Sequence, residues 1–366
     1  MVPPALAAHE RWLTDAAHSL PTPRKAGPVI NADTEPGTTR SPLVLAHRGA
    51  SGYRPEHTAR SLQLAVAQGA DGIEIDIVVS KDGVLLVRHE NELSATTDIA
   101  SRPEFADRTA VKVIDGRQVR GWFAEDFTWH ELSNLRARER LPRLRPNSAT
   151  YDGVDGILRL ADVLKFFLAQ EPTFVLVIEI KHATFYSSVG FHIPNILREE
   201  MRGLEQLASR IIFESFEKTV LHELAETGMN GRRIYLQETQ GAAPDEIARF
   251  GADAVRYSEE RTTGGLRRLK TALDGVSLPL SILAPAGVSG PSGVVRRARS
   301  VDLEIYGWTL RAGERFLPTT YALRPVRDPS YHWFRRIMAA GLDGVFTDEP
   351  DVAIRARSSL AISEVL

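Results

Sequence analysis

Short β-rich runs alternate with amphipathic helical stretches from residue 43 almost to the C-terminus, and this alternation constrains the fold more than any other feature. Parallel strands cannot be joined by tight turns. Each needs a crossover, usually a helix, so a repeated strand–helix pattern implies a parallel sheet. The strand candidates are LVLAH (43–47), GIEIDIVVS (72–80), FVLVIEIK (174–181), RIIFESF (210–216), RRIYLQE (232–238), ADAVRY (252–257), EIYGWTL (304–310) and GVFTD (344–348), with VLLVRHE (84–90) as a short extra ribbon. Helical patterns fall at 57–69, 160–170, 192–207, 217–228, 244–250, 264–274 and 330–340. Eight such units predict a (β/α)8 TIM barrel, a fold of roughly 250 residues before insertions. A doubly wound open sheet competes. It calls for a glycine fingerprint that opens the first helix, and HRGASG (47–52) does not have that form.

Residues 1–41 read as an N-terminal extension, with a short amphipathic helix expected at 4–19, and 42–366 as the barrel. The excess over a minimal barrel is an insertion at 101–158, after the second strand and its ribbon. Within it, TWHELSNLRARER (128–140) predicts a helix opened by a Thr128/Glu131 capping box. A segment this long with little regular structure suits a lid or a binding element.

A net charge of −2 gives no global field to attract nucleic acid or an anionic membrane. The chain has no cysteine, so disulfides, thiolate-held metals and a cysteine nucleophile are excluded. The longest uncharged run, Gly275 to Val295, is broken by Pro279, Pro285 and Pro291 and reads as strand plus loops, not a membrane span. Glu10, Arg11 and Asp15 interrupt any signal-peptide core, so a cytoplasmic location is expected; a chain already relieved of its leader would look the same.

Glu74 and Asp76 sit at i and i+2 in GIEIDIVVS, which puts both carboxylates on one face of a strand whose other face is Ile73, Ile75 and Ile77. Two buried carboxylates side by side repel, and a cation relieves them. Glu179 and Lys181 repeat the spacing at the end of the next strand. In a barrel these side chains and His47 converge on one mouth. Three carboxylates there, without cysteine or a histidine triad, suit one hard divalent ion, Ca²⁺ or Mg²⁺. His47 ends the first strand and His89 the ribbon. Two imidazoles beside a metal suit displacement at a phosphodiester, where one accepts a proton and the other donates one, and Arg48 suits a phosphate oxygen.

HRGASGYRPEHT (47–58), GADGIEIDIVVSKDGVLLVRHE (69–90), IEIK (178–181) and GLDGVFTDEP (341–350) together resemble the glycerophosphodiester phosphodiesterase family, specifically its larger bacterial subgroup with an insertion. The resemblance covers about 43–353. It implies a (β/α)8 barrel and metal-dependent hydrolysis of a small-molecule glycerophosphodiester to sn-glycerol 3-phosphate and an alcohol. It maps metal ligands onto Glu74, Asp76 and Glu179, the acid–base pair onto His47 and His89, phosphate contacts onto Arg48 and Lys181, a supporting acid onto Glu56 and a substrate-side aromatic onto Trp308.

Two positions depart from the family pattern. Glu90 follows the second histidine where the family has aspartate, and the longer acid can still orient the ring or a loop. Glu214 stands where the family has glutamine; its bland reading is a salt bridge to neighbouring arginines or lysines. Alternative functions are a phospholipase D-like barrel acting on lysolipid headgroups, with Trp122, Phe123, Phe127 and Trp129 lining an apolar groove, and a catalytically silent binding barrel.

Overall fold

The computed structural model describes residues 41–363, except 286, 288, 289 and 324. The helix expected at 4–19 lies outside the described residues. The strands are β1 (Leu43–His47), β2 (Gly72–Val79), β3 (Leu85–Val87), β4 (Ala110–Ile114), β5 (Arg117–Gly121), β6 (Val175–Ile180), β7 (Ile211–Ser215), β8 (Arg232–Leu236), β9 (Gly275–Pro279), β10 (Glu304–Leu310) and β11 (Gly344–Thr347).

Eight of them run parallel in the order β1-β2-β6-β7-β8-β9-β10-β11, and β11 pairs back onto β1 through Leu43↔Gly344 to Ala46↔Thr347. The sheet is closed, and the molecule is a (β/α)8 TIM barrel. Strand alternation separates two sets of side chains. Leu45, Val175, Val177, Ile212, Ile234, Tyr306 and Phe346 fill the barrel interior. Their neighbours Val44, Ile73, Ile75, Leu176, Ile178, Phe213 and Ile305 point outward against the helices. At the interior's N-terminal end, Arg232 Nη1 lies 3.3 Å from Glu304 Oε2 and 3.1 Å from the Tyr306 hydroxyl, which donates to the same carboxylate at 2.7 Å.

One strand assignment is corrected. ADAVRY is not a strand: residues Gly251–Asp253 form a 3₁₀ turn and Tyr257–Glu260 a short helix, and Val255 stays exposed. The strand at this place in the barrel is β9, inside the uncharged run. Three of its five residues, Gly275, Ser277 and Pro279, are poor strand formers, and Pro279 has no N–H to extend the ladder, so its pattern is weak in sequence.

The insertion holds an antiparallel hairpin, β4–β5, turned at Asp115-Gly116 with both residues at positive φ. The capping box of Thr128 and Glu131 is present, but the helix it opens covers only Trp129–Leu132. Beyond it the chain is drawn into isolated bridges, Thr97↔Ala137 and Arg136↔Gly156, which replace helical hydrogen bonds. The four insertion aromatics do not line a groove. Phe123 and Phe127 are fully buried, the Trp122 indole donates to the Phe105 carbonyl at 2.6 Å, and Trp129 stacks beneath the Arg159 guanidinium.

Candidate active site

The site is built at the C-terminal ends of β1, β2, β6 and β11 and the turns beyond them. After β1 the chain turns sharply. Arg48 adopts φ +59°, and its N–H donates to the Glu74 carbonyl (3.0 Å) and carboxylate (2.9 Å). The glycines of HRGASG serve packing. A Cβ on Gly49 would lie 2.4 Å from Ser61 Oγ, and one on Gly52 2.4 Å from Glu349 Oε1.

Glu74 and Asp76 on β2 and Glu179 on β6 are buried, and their ligand oxygens lie within 4.8 Å of one another. Asp76 and Glu179 are register partners across the two strands. Lys181 Nζ lies 2.6 Å from Glu179 Oε1 and 2.9 Å from Asp76 Oδ1, and Arg48 Nε lies 3.2 Å from Asp76 Oδ2. Burial, together with the Asp76 and Glu179 charges, raises Glu74 well above the usual carboxylate range. Burial also pushes Glu179 up to about 7, with Asp76 adding to it and Lys181 opposing. Burial acts the same way on Asp76, but Lys181 and Arg48 overcome it and hold that carboxyl low. Glu74 Oε1 is buried with no hydrogen-bond partner. Carboxylates that repel one another and an orphaned oxygen fit a divalent cation bound by hard oxygen ligands.

Both histidines are backed by a carboxylate. His47 Nδ1 lies 2.7 Å from Asp348 Oδ1, and His89 Nδ1 lies 2.5 Å from Glu90 Oε1. In each ring Nδ1 faces the carboxylate and Nε2 does not. Burial and the Arg48 charge bring His47 down to about 4, against the pull of Asp348. Burial, Arg48 and Lys181 bring His89 down to about 3. Both rings are therefore neutral at pH 7 in the free site.

Glu56 binds Arg48 at 3.1 Å and Arg140, and lies outside the carboxylate cluster. Trp308 packs edge-on against Phe216 with centroids 5.7 Å apart, and its indole nitrogen is buried without a partner. Glu214 is inward on β7 beside Glu179, and its Oε1 is also unpartnered. The salt bridge read for it from sequence is not among those the described residues form; burial and the Glu179 charge raise its carboxyl well above normal.

Sequence reasoning missed Asp348, Arg140, Arg145, Arg311 and His57. Asp348 accepts from His47, from Arg145 and from Arg311 Nε at 2.8 Å. His57 Nε2 lies 3.2 Å from the Asp76 carboxylate and backbone nitrogen. Asp348 was findable, since it ends the last strand as His47 ends the first. The insertion arginines carry no periodic signal.

A TIM barrel with carboxylate-backed imidazoles, an acid cluster able to hold a cation and fixed cationic side chains at its mouth has the make-up of an enzyme for an anionic substrate. Comparison with known proteins narrows this class. The glycerophosphoryl diester phosphodiesterase family model matches residues 47–352, and the chain belongs to that family. It is 28% identical over 348 residues to the glycerophosphodiester phosphodiesterase GDPD6 of Arabidopsis thaliana, covering 90% of each chain. The fold is shared with a crystallised glycerophosphodiester phosphodiesterase of Agrobacterium tumefaciens (TM-score 0.55, 18% identity, 86% of this chain and 99% of that one). It is shared also with an Oleispira antarctica phosphodiesterase in complex with its product sn-glycerol-3-phosphate (TM-score 0.52, 18% identity, 87% and 97%).

Proposed function

We propose that this phosphodiesterase hydrolyses glycerophosphodiesters to sn-glycerol 3-phosphate and an alcohol, with His47 and His89 exchanging protons and a divalent ion held by Glu74, Asp76 and Glu179. The observation that carries the reading is the pairing of each Nδ1 with a carboxylate, Asp348 or Glu90, at the rim of the acid cluster. Such pairing fixes the tautomer that presents Nε2 and stabilises the imidazolium once it forms. Ca²⁺ or Mg²⁺ at the cluster would supply neutralisation of the phosphodiester charge. Arg48 and Lys181, held by Asp76, Glu56 and Glu179, present donors to the phosphoryl oxygens. A neutral imidazole can take the proton of the attacking hydroxyl. The arriving phosphodiester anion favours the charged form of the other, which then protonates the departing alkoxide. A glycerol hydroxyl next to the esterified carbon is a well-placed nucleophile, and its attack would give a cyclic phosphate that water then opens.

Leaving-group dependence tests the reading. Removal of the acid should slow glycerophosphocholine far more than an activated nitrophenyl ester, and removal of the base should slow both. Near-wild-type turnover of glycerophosphocholine by both His47→Ala and His89→Ala would overturn it. A deoxy analogue lacking the vicinal hydroxyl should react much more slowly than its parent; equal rates, with no trappable cyclic phosphate, would instead support direct attack by water.

A further inference from the structure

The insertion reaches the mouth through two arginines five residues apart, and each ends on a carboxylate that backs a histidine. The Arg140 guanidinium donates from Nη1 and Nη2 to Glu90 at 2.7 and 2.6 Å, and from Nε and Nη2 to Glu56 at 2.7 Å each. Glu90 Oε1, which accepts from Arg140, is the oxygen that meets His89 Nδ1. Arg145 donates through Nη2 to Asp348 Oδ2, while Asp348 Oδ1 meets His47 Nδ1. Its Nη1 donates to the Ser51 carbonyl at 3.0 Å, and Ser51 Oγ donates to the His47 carbonyl at 2.8 Å.

We propose that Arg140 and Arg145 are positioning residues through which the insertion fixes both histidines by holding the carboxylates behind them. The inference rests on the proton-exchange reading of His47 and His89. A carboxylate that orients an imidazole is effective only if its own torsions are locked, and at Glu90 the long side chain has more torsions to lock than an aspartate would have. Arg140 does this with two donors of a planar fork, one to each Glu90 oxygen, while two more anchor the guanidinium on Glu56, a geometry that lysine cannot reproduce. The two supports are unequal. Asp348 keeps Arg311 Nε at 2.8 Å if Arg145 is lost, whereas among the described residues Arg140 is the only cation that hydrogen-bonds Glu90.

Steady-state kinetics on glycerophosphocholine with the full chain test this. Arg140→Ala should lower kcat about tenfold to a hundredfold, the range for groups that orient a reacting side chain, with KM changed little. Arg145→Ala should lose less, and Arg143→Ala, exposed on the same segment, should match wild type. Free guanidinium ion should restore several-fold of the activity missing in Arg140→Ala, and Arg140→Lys should stay impaired. In a Glu90→Gln background, Arg140→Ala should cost much less than in wild type, because the carboxylate it holds is already gone. Wild-type kcat in Arg140→Ala, with His47→Ala and His89→Ala inactive, overturns this inference alone. A loss that guanidinium does not restore and that persists undiminished with Glu90→Gln overturns it too, since the defect would then lie at Glu56 or in folding. Active histidine variants overturn the reading beneath it.

Discussion

The floor and the mouth of the barrel both place charge inside the sheet, and they treat it in opposite ways. At the floor, Arg232 Nη1, Glu304 and the Tyr306 hydroxyl hydrogen-bond one another with a cation for a carboxylate, and the one unpartnered atom there, Arg232 Nη2, belongs to the cation. At the mouth, Glu74, Asp76, Glu179 and Glu214 crowd together with Arg48 and Lys181 as their nearest cations, and oxygens of Glu74 and Glu214 have no partner. A half-buried pair that balances is structure, whereas a buried surplus of one sign costs stability and marks where a ligand belongs.

The sharpest test of that contrast is removal of a mouth carboxylate. Glu74→Ala should lower kcat/KM by about a thousandfold or more, on the scale of losing a transition-state charge partner. Its Tm without metal should not fall, because like-charge repulsion is relieved. A Tm loss with retained activity in excess chelator would place Glu74 with the floor residues. Metal addition comes next. Saturating Ca²⁺ or Mg²⁺ at 100 times Kd stabilises by about 2.7 kcal/mol. The raised Glu179 and Glu74 bind more protons folded than unfolded, so the metal-free protein loses stability as pH rises from the ordinary carboxylate range through about 7. The metal-induced Tm increase should therefore be larger at pH 8 than at pH 5.5, and an equal shift at both would break the assignment.

At the floor, Glu304→Gln should cost about 1 kcal/mol by denaturant unfolding and leave kcat unchanged. Any change in turnover would mean that the two ends of the barrel are coupled. The smallest effect is expected from Glu214→Gln, which removes a buried acid beside Glu179 and should stabilise the metal-free protein by under about 1 kcal/mol. Destabilisation would show that Glu214 has a cationic partner in solution.

The barrel was legible because its strands repeat a two-residue pattern that burial on both faces cannot hide: Ile73, Ile75 and Ile77 pack outward while Glu74 and Asp76 join the mouth cluster. The same logic located His47, His89, Glu179 and Lys181 at strand ends. It failed at β9, where Gly275, Ser277 and Pro279, all poor strand formers, alternate with Val276 and Leu278, and at ADAVRY, whose alternation is that of an exposed turn. It failed again for Arg140 and Arg145, because they sit in irregular chain whose position is set by contacts such as Glu139–Ser148 and Thr97↔Ala137, not by local preference.

Closure of the sheet sets a rule for when this enzyme can begin to work. His47 and Asp348 are 301 residues apart in sequence, and they meet because β11 docks beside β1. Before β11 has left the ribosome, more than nine-tenths of the chain is already made, yet the first histidine has no partner carboxylate and the ring of strands has a gap. The chain therefore carries its own completion check: a nascent or C-terminally clipped copy that lacks β11 and Asp348 cannot assemble the His47–Asp348 pair.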